Sequence, residues 1–124
     1  MAELTRKDVI LILGMGGANP RLAGVDLSDL ELEYFDFHGA NLTKANLSKT
    51  DLSHANLSGA NLREANLRWA KLSNANLNEA DLSGADLSGA DLNGADLRQA
   101  VIERADLGRT ILKGAIMPDG TQHV

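Results

Sequence analysis

From Arg21 to Asp119 the chain repeats a five-residue unit with no insertion, as in Ala40-Asn41-Leu42-Thr43-Lys44 and Ala85-Asp86-Leu87-Ser88-Gly89. Leu, Phe, Ile or Met stands at every fifth position from Leu22 to Met117, and Ala fills nearly every position two before it from Ala40 to Ala115. A period of five fits neither regular secondary structure. On an α-helix, each step of five rotates the leucine by roughly 140°, so Leu42, Leu47 and Leu52 would point in different directions. In an extended strand, Ala40 and Leu42 share one face while Ala45 and Leu47 take the other. The chain must therefore turn once in every unit. With a corner in each, every Ala and Leu points inward and the Asn or Asp and the two following residues face solvent: a solenoid whose stacked coils are joined by hydrogen bonds.

Tandem Ala-Asp/Asn-Leu-x-x over residues 20 to 119 resembles the pentapeptide repeat family, including its small cyanobacterial-type members. The resemblance implies an all-β solenoid, a right-handed quadrilateral β-helix with four pentads per coil. The twenty units from Leu22 to Met117 then make about five coils, with a height of about 24 Å at an inter-strand spacing of about 4.8 Å.

The expected organisation is an N-terminal cap over 1–19, the β-helix over 20–119 and a tail over 120–124. Thr5 is placed to cap a short helix through Arg6–Leu13, with Gly14 as its stop and Gly16-Gly17 as a bend. The β-branched run from Val9 leaves a short strand over residues 5–13 as the alternative. Arg6-Lys7 before an apolar segment also admits a signal peptide, against which stand Asp8 and the brevity of the apolar stretch. No segment reaches the length of a transmembrane helix. The first coil departs from the repeat: Val25, Leu30 and Phe35 replace Ala and Phe37 replaces Leu, as a wider base meeting the cap would require. At the other end Pro118 removes a ladder donor and Asp119-Gly120 forms a turn. Val101, Ile111 and Ile116 are apolar at outward positions there. Two readings stand: the tail folds over them as a cap, or they form an end-to-end association surface.

No arrangement for chemistry emerges. The chain has no cysteine, which removes disulfides and thiolate metal sites. Asp81, Asp86, Asp91 and Asp96 belong to the repeat and face solvent, unlike a buried catalytic pair. Of the three histidines, His38 and His54 fall on different sides of a four-sided coil, so they cannot share a metal, and His123 lies in the tail. Gly14-Met15-Gly16-Gly17 lacks the Lys-Ser/Thr of a phosphate loop. Threonines 43, 50 and 110 form no common column of the kind a flat ice-binding face needs. A non-enzyme without cofactor is the expectation.

The charge is banded. Residues 20–39 and 80–99 are acidic, residues 40–79 slightly basic, and residues 100–119 neutral, within a net charge of −5. Some pentapeptide repeat proteins mimic duplex DNA and inhibit type II topoisomerases, a role that needs a continuous anionic face. Here Lys44, Lys49, Arg63, Arg68 and Lys71 interrupt it, and DNA mimicry stands as the alternative function. Net negative charge and few aromatics argue against direct nucleic-acid binding. The principal expectation is a noncatalytic structural or protein-interaction module, cytoplasmic with periplasmic or lumenal export left open, that binds another protein and no membrane. It is a monomer or weak end-to-end homodimer. Trp69 falls at an outward corner with Lys49, Arg68 and Lys71 around it, a basic aromatic patch suited to an acidic partner surface.

Overall fold

The computed structural model describes residues 4–15 and 19–124. One helix, α1, spans Arg6–Gly14. It begins in a reciprocal cap: Asp8 N–H donates to Thr5 Oγ1 at 3.1 Å and Thr5 N–H to Asp8 Oδ2 at 3.0 Å. Helix is thus the outcome for residues 6–13, one residue longer than expected. Its C-cap is Met15, whose N–H bonds to Leu11 and Ile12. The Gly16-Gly17 bend lies outside the described residues. α1 buries Val9 against the first coil, and Arg6 reaches across to donate to the Glu31 carbonyl at 3.0 Å with its guanidinium over the Phe35 ring. The large residues of the first coil, Val25, Leu30 and Phe35, pack partly buried against the core beside Leu13 and Ile12.

Beyond α1 the chain forms no strand longer than a single bridge among the described residues. Each pentad instead contributes one parallel bridge to the residue twenty positions on, from Arg21 to Asn41 through to Asp96 and Ile116. One turn of the solenoid therefore uses four pentads, giving four sides. Numbering each pentad from its bridging residue, Asn61 to Ala65 shows how the backbone is satisfied. Asn61 N–H donates to Ala40 in the preceding coil; Leu62 and Glu64 donate to Asp81 and Ser83 in the following one. Ala65 N–H closes a turn on Leu62 at 3.0 Å. The remaining donor, Arg63 N–H, goes to the Asn61 side chain at 3.1 Å. All five N–H groups are accounted for, four by backbone and one by the Asn oxygen.

The corner sits at the fourth residue, which has positive φ in every pentad from Gly24 to Gly114: Lys44 at 59°, Trp69 at 60°, Gly89 at 71°. A turn closed by the fifth residue on the second needs a left-handed residue there, as in a type II turn. The inward positions are filled without gap. Leu42 through Leu92 at the second position are fully buried, and the alanines from Ala40 to Ala95 are 0–1 % exposed. Thr50 and Thr110 occupy the alanine slot by donating their hydroxyls to the Leu27 and Leu87 carbonyls, each at 2.9 Å, so neither hydroxyl is orphaned.

Aspartate and asparagine are interchangeable in the first position because each offers Oδ1 to the third residue's N–H. At most serines in that position the hydroxyl donates as well, as that of Ser88 does to Asp86. These bonds move acid pKa values. The Ser88 hydroxyl holds the Asp86 carboxyl below its ordinary range, against partial burial, and Arg98 does the same for Asp96. Partial burial pushes Asp81 upward, but Ser83 and Arg63 together outweigh it and leave the group lowered. A depressed folded-state pKa stabilises the fold above the unfolded value of about 3.9, and that contribution is lost as pH falls through the folded value.

Two outcomes follow. Ala75→Leu should overpack the wall and cost about 1–3 kcal/mol, whereas Asn78→Ala, at a third position whose backbone bond survives, should change stability by less than about 0.5 kcal/mol; equal melting temperatures would refute the inward assignment of Ala75. Asp86→Asn, which keeps the acceptor and loses the charge, should lower the melting temperature slightly near pH 7 and reduce its fall below about pH 4, while Asp86→Ala should cost about 1 kcal/mol at pH 7. Thermal melts of both variants across pH check this.

Candidate protein-interaction surface

Trp69 is the fourth residue of its pentad, so its side chain leaves a left-handed corner outward. In the same column stand Asp29, Lys49, Gly89 and Arg109, one per coil. The indole turns toward the C-terminal end and lies over Gly89, where a Cβ would overlap the ring. Gly89 thus serves two needs, positive φ and a flat seat for an aromatic. About half of Trp69 remains exposed.

Beside the ring a shallow groove of about 290 Å³ is lined by Arg68, Trp69, Ser88, Asp106, Gly108 and Arg109. Gly108 leaves its floor low. Arg68 sits 3.8 Å from Asp86, a loose pair with half its side chain in solvent, and Arg109 makes no ion pair among the described residues. Asp106 Oδ1 accepts from Gly108 N–H at 2.9 Å. The groove therefore offers an aromatic plate and two guanidinium groups, with one carboxylate opposite.

Of the residues expected to form the patch, Arg68 and Trp69 come together. Lys49 lies one coil toward the N-terminus, on the side of the indole away from the groove, and Lys71 lies around the corner on the next side of the solenoid. Arg109, forty residues from Trp69 and so two coils on in the same column, was missed. Its signal was available: the twenty-residue period aligns 69, 89 and 109, and the glycine at 89 lets the two outer residues share one surface.

Lys71 is informative for another reason. It replaces the Asn or Asp of the first position, so Ser73 N–H has no side-chain acceptor among the described residues. Val101, Ile111 and Ile116 break the same rule. Val101 and Ile111 are 41 % and 50 % exposed. Ile116 is half-buried and forms an antiparallel bridge to Gln122 as the tail doubles back. The tail thus covers one of the three apolar positions and leaves two open. Elsewhere His38 Nδ1 lies 2.8 Å from Ser58 Oγ, and His54 stacks on Tyr34 with ring centroids 4.7 Å apart. The two histidines stand on different sides, and no group of three His, Asp or Glu residues among those described is placed to hold a metal ion. No helix among the described residues is long and apolar enough to cross a membrane.

Restoring the repeat at its broken position should stabilise it. Lys71→Asn should supply an acceptor to Ser73 N–H and raise stability by about 0.5–1 kcal/mol, read by thermal melting. A melting temperature equal to or below that of the parent would refute the role assigned to the first-position oxygen.

The sequence matches the model of the pentapeptide repeats in eight copies, over residues 21–59, 60–99 and 80–117. No curated protein matches it significantly. Among solved structures it is similar to HetL, a pentapeptide repeat protein involved in heterocyst differentiation regulation from the cyanobacterium Nostoc sp. strain PCC 7120. The two are 33 % identical with a TM-score of 0.57, over 86 % of this chain and 63 % of HetL. It is also similar to Rfr23, a pentapeptide repeat protein of the cyanobacterium Cyanothece 51142, at 34 % identity and a TM-score of 0.46, over 90 % of this chain and 69 % of Rfr23. Full-length QnrB1, a plasmid-mediated fluoroquinolone resistance protein, is 19 % identical with a TM-score of 0.31, over 78 % of this chain and 60 % of that one. The chain thus spans less than two thirds of HetL. A five-residue grammar held over almost a hundred residues, one bridge per pentad and a family match across the whole array agree: the chain belongs to the pentapeptide repeat family.

Proposed function

We propose that this chain is a noncatalytic protein-interaction module, a right-handed quadrilateral β-helix of about five coils capped by α1, acting in the cytoplasm. The observation that carries this reading is the groove beside Trp69. A half-exposed indole is seated on Gly89, with Arg68 and the unpaired Arg109 alongside. Tryptophan and arginine supply a disproportionate share of binding energy at protein interfaces, because each offers large contact area with little conformational freedom to lose. The partner is a protein surface bearing a carboxylate next to an apolar side chain. The carboxylate pairs with Arg109 and the apolar group lies on the indole. The regular side chains elsewhere serve the hydrogen-bond pattern of the repeat, which supports a rigid platform over a reaction site.

DNA mimicry by this chain draws its support from the most acidic side, which carries Asp36, Glu79, Asp96 and Asp119. On that side Arg98 holds Asp96 at 2.7 Å, and the uncharged Asn56 and Asn76 separate Asp36 from Asp96. Such spacing is sparse beside the continuous charge of a duplex backbone. Failure of the intact protein to alter DNA supercoiling by a type II topoisomerase is the expected result.

Affinity capture from the native cell with the intact chain and with Trp69→Ala as parallel baits tests the principal reading. Partners retained by the parent should be lost from the variant, with affinity weakened by about 2 kcal/mol or more while circular dichroism is unchanged. Gly89→Ala, which unseats the indole, should act in the same direction. Partners held equally by the parent and by Trp69→Ala would refute the groove as the contact site.

A further inference from the structure

We infer that the outer face of α1, with the groove between it and the first coil, docks a basic amphipathic helix of another protein. This surface is separate from the Trp69 groove, asks for a partner of the opposite charge and does not rest on that reading. α1 covers the first coil with Val9, yet its solvent side is apolar too. Lys7, Ile10, Leu11, Gly14 and the C-cap Met15 follow the spacing of one helix face, and all five are exposed, Leu11 at 61 % and Met15 at 83 %. Capping the coil does not call for leucine and methionine on the far side of the helix; a contiguous apolar stripe there marks a contact surface. Beside the stripe, a groove of about 350 Å³ is lined by Ile10, Leu13, Gly14, Phe35 and Asp36. Its size stands at the low end of ligand pockets, enough for one or two side chains.

Charge decides what the partner carries around its apolar side chains. In the first coil Asp26, Asp29, Glu31, Glu33 and Asp36 outnumber Arg21, and α1, with Arg6, Lys7 and Asp8, returns one positive charge. Asp29, Glu31, Glu33 and Asp36 form no ion pair among the described residues. Arg6 is committed elsewhere, to the Glu31 carbonyl and the Phe35 ring. Asp36 uses Oδ1 to accept from His38 N–H at 3.0 Å and Asn56 Nδ2 at 3.2 Å, which leaves its negative charge unmatched at the groove. Two residues before Phe35, Glu33 Oε2 is buried with no hydrogen-bond partner among the described residues. An unpartnered buried oxygen is costly, and a lysine or arginine docking at this edge brings donors to it.

The same charge disfavours the other occupants. Two copies meeting through α1 would set one acidic first coil against another, and an anionic lipid surface would meet the same repulsion. A helix suits the shape. Leu11 and Met15 stand four residues apart as a ridge, Ile10 and Gly14 line the groove next to it, and a Cβ on Gly14 would find nothing within 4 Å, so a second helix can come close at that point. Its apolar side chains then enter between Ile10 and Phe35, and its lysines or arginines reach Asp36 and Glu33 at the margin. This is helix-in-groove recognition, with one wall of the groove itself a helix.

The test titrates the intact chain, by calorimetry at physiological salt, with a synthetic leucine–lysine peptide patterned as an amphipathic helix of about 18 residues. It should bind, while a leucine–glutamate peptide of the same pattern and a lysine–serine peptide of the same charge should each bind at least about tenfold more weakly. Leu11→Ser, on the exposed stripe, and Asp36→Asn, which keeps the acceptor for His38 N–H, should each weaken the leucine–lysine peptide at least about fivefold with circular dichroism unchanged. Asp91→Asn, three coils on from Glu31, should leave the affinity as it is. No binding of the leucine–lysine peptide, equal binding of either control peptide, or an affinity unmoved by Leu11→Ser or by Asp36→Asn would each overturn the inference. So would a dimer in sedimentation that Leu11→Ser dissolves, which makes a second copy the occupant, or flotation of the chain with phosphatidylglycerol vesicles that Leu11→Ser abolishes, which makes it a membrane.

Discussion

The fold depends on one small hydrogen bond, from the third residue's N–H to the side-chain oxygen two residues before it. Without it, every pentad would leave one donor without a partner in a structure whose other four N–H groups are committed to backbone carbonyls. Asn41 serves Thr43, Asn61 serves Arg63 and Asp86 serves Ser88 in the same way. The bond also holds the corner in shape, because it spans the residue whose side chain points inward and fixes the entry to the left-handed fourth position. A single polar side chain thus sets the turn that keeps every leucine on one side of the chain.

That constraint sorts the surface. Most outward Asn and Asp residues are tied to the backbone, so their abundance describes how coils are made and not what they bind. The residues that depart from the rule are those freed from it: Arg21, Glu31, Lys71, Val101, Ile111 and Ile116 are neither Asn nor Asp. The fourth position is less constrained in identity, since it needs only positive φ and projects into solvent. Glycine, lysine, histidine, glutamate and tryptophan all occupy it. Variation there can be used for recognition at modest cost to the fold, and Trp69 and Arg109 lie there.

The two ends are unequal for the same reason. A repeat array supplies each coil's hydrogen-bond partners from its neighbours, so both terminal coils need something else. α1 covers the first with apolar side chains, an Arg-carbonyl bond and a cation over an aromatic ring. At the last coil the returning tail satisfies one side. The apolar residues remaining on the rim then lie beside an unfilled ladder.

Much of this was legible in the residues alone. The five-residue period excludes a continuous helix or strand by geometry, and the alternation of Ala and Leu assigns the interior, because only a turn in every unit brings both to one side. Thr5 announces the start of α1 as its cap, and the reciprocal bond from Asp8 was added by the structure. Other features were decided by the tertiary structure. Four pentads per coil depend on the angle of each corner, which sets the twenty-residue step between stacked residues; that step is what brings Trp69, Gly89 and Arg109 into one column, and without it Lys49 and Lys71 are as plausible neighbours as Arg109. The direction of the indole depends on the space available, and only the absence of a side chain at Gly89 turns it toward the C-terminus. How far the tail covers the last coil rests likewise on its reversal at Asp119-Gly120 and pairing with residues 114–117. Local periodicity fixes which way each side chain faces, but contacts between coils belong to residues twenty or forty apart, and their geometry exists only once the coils are stacked.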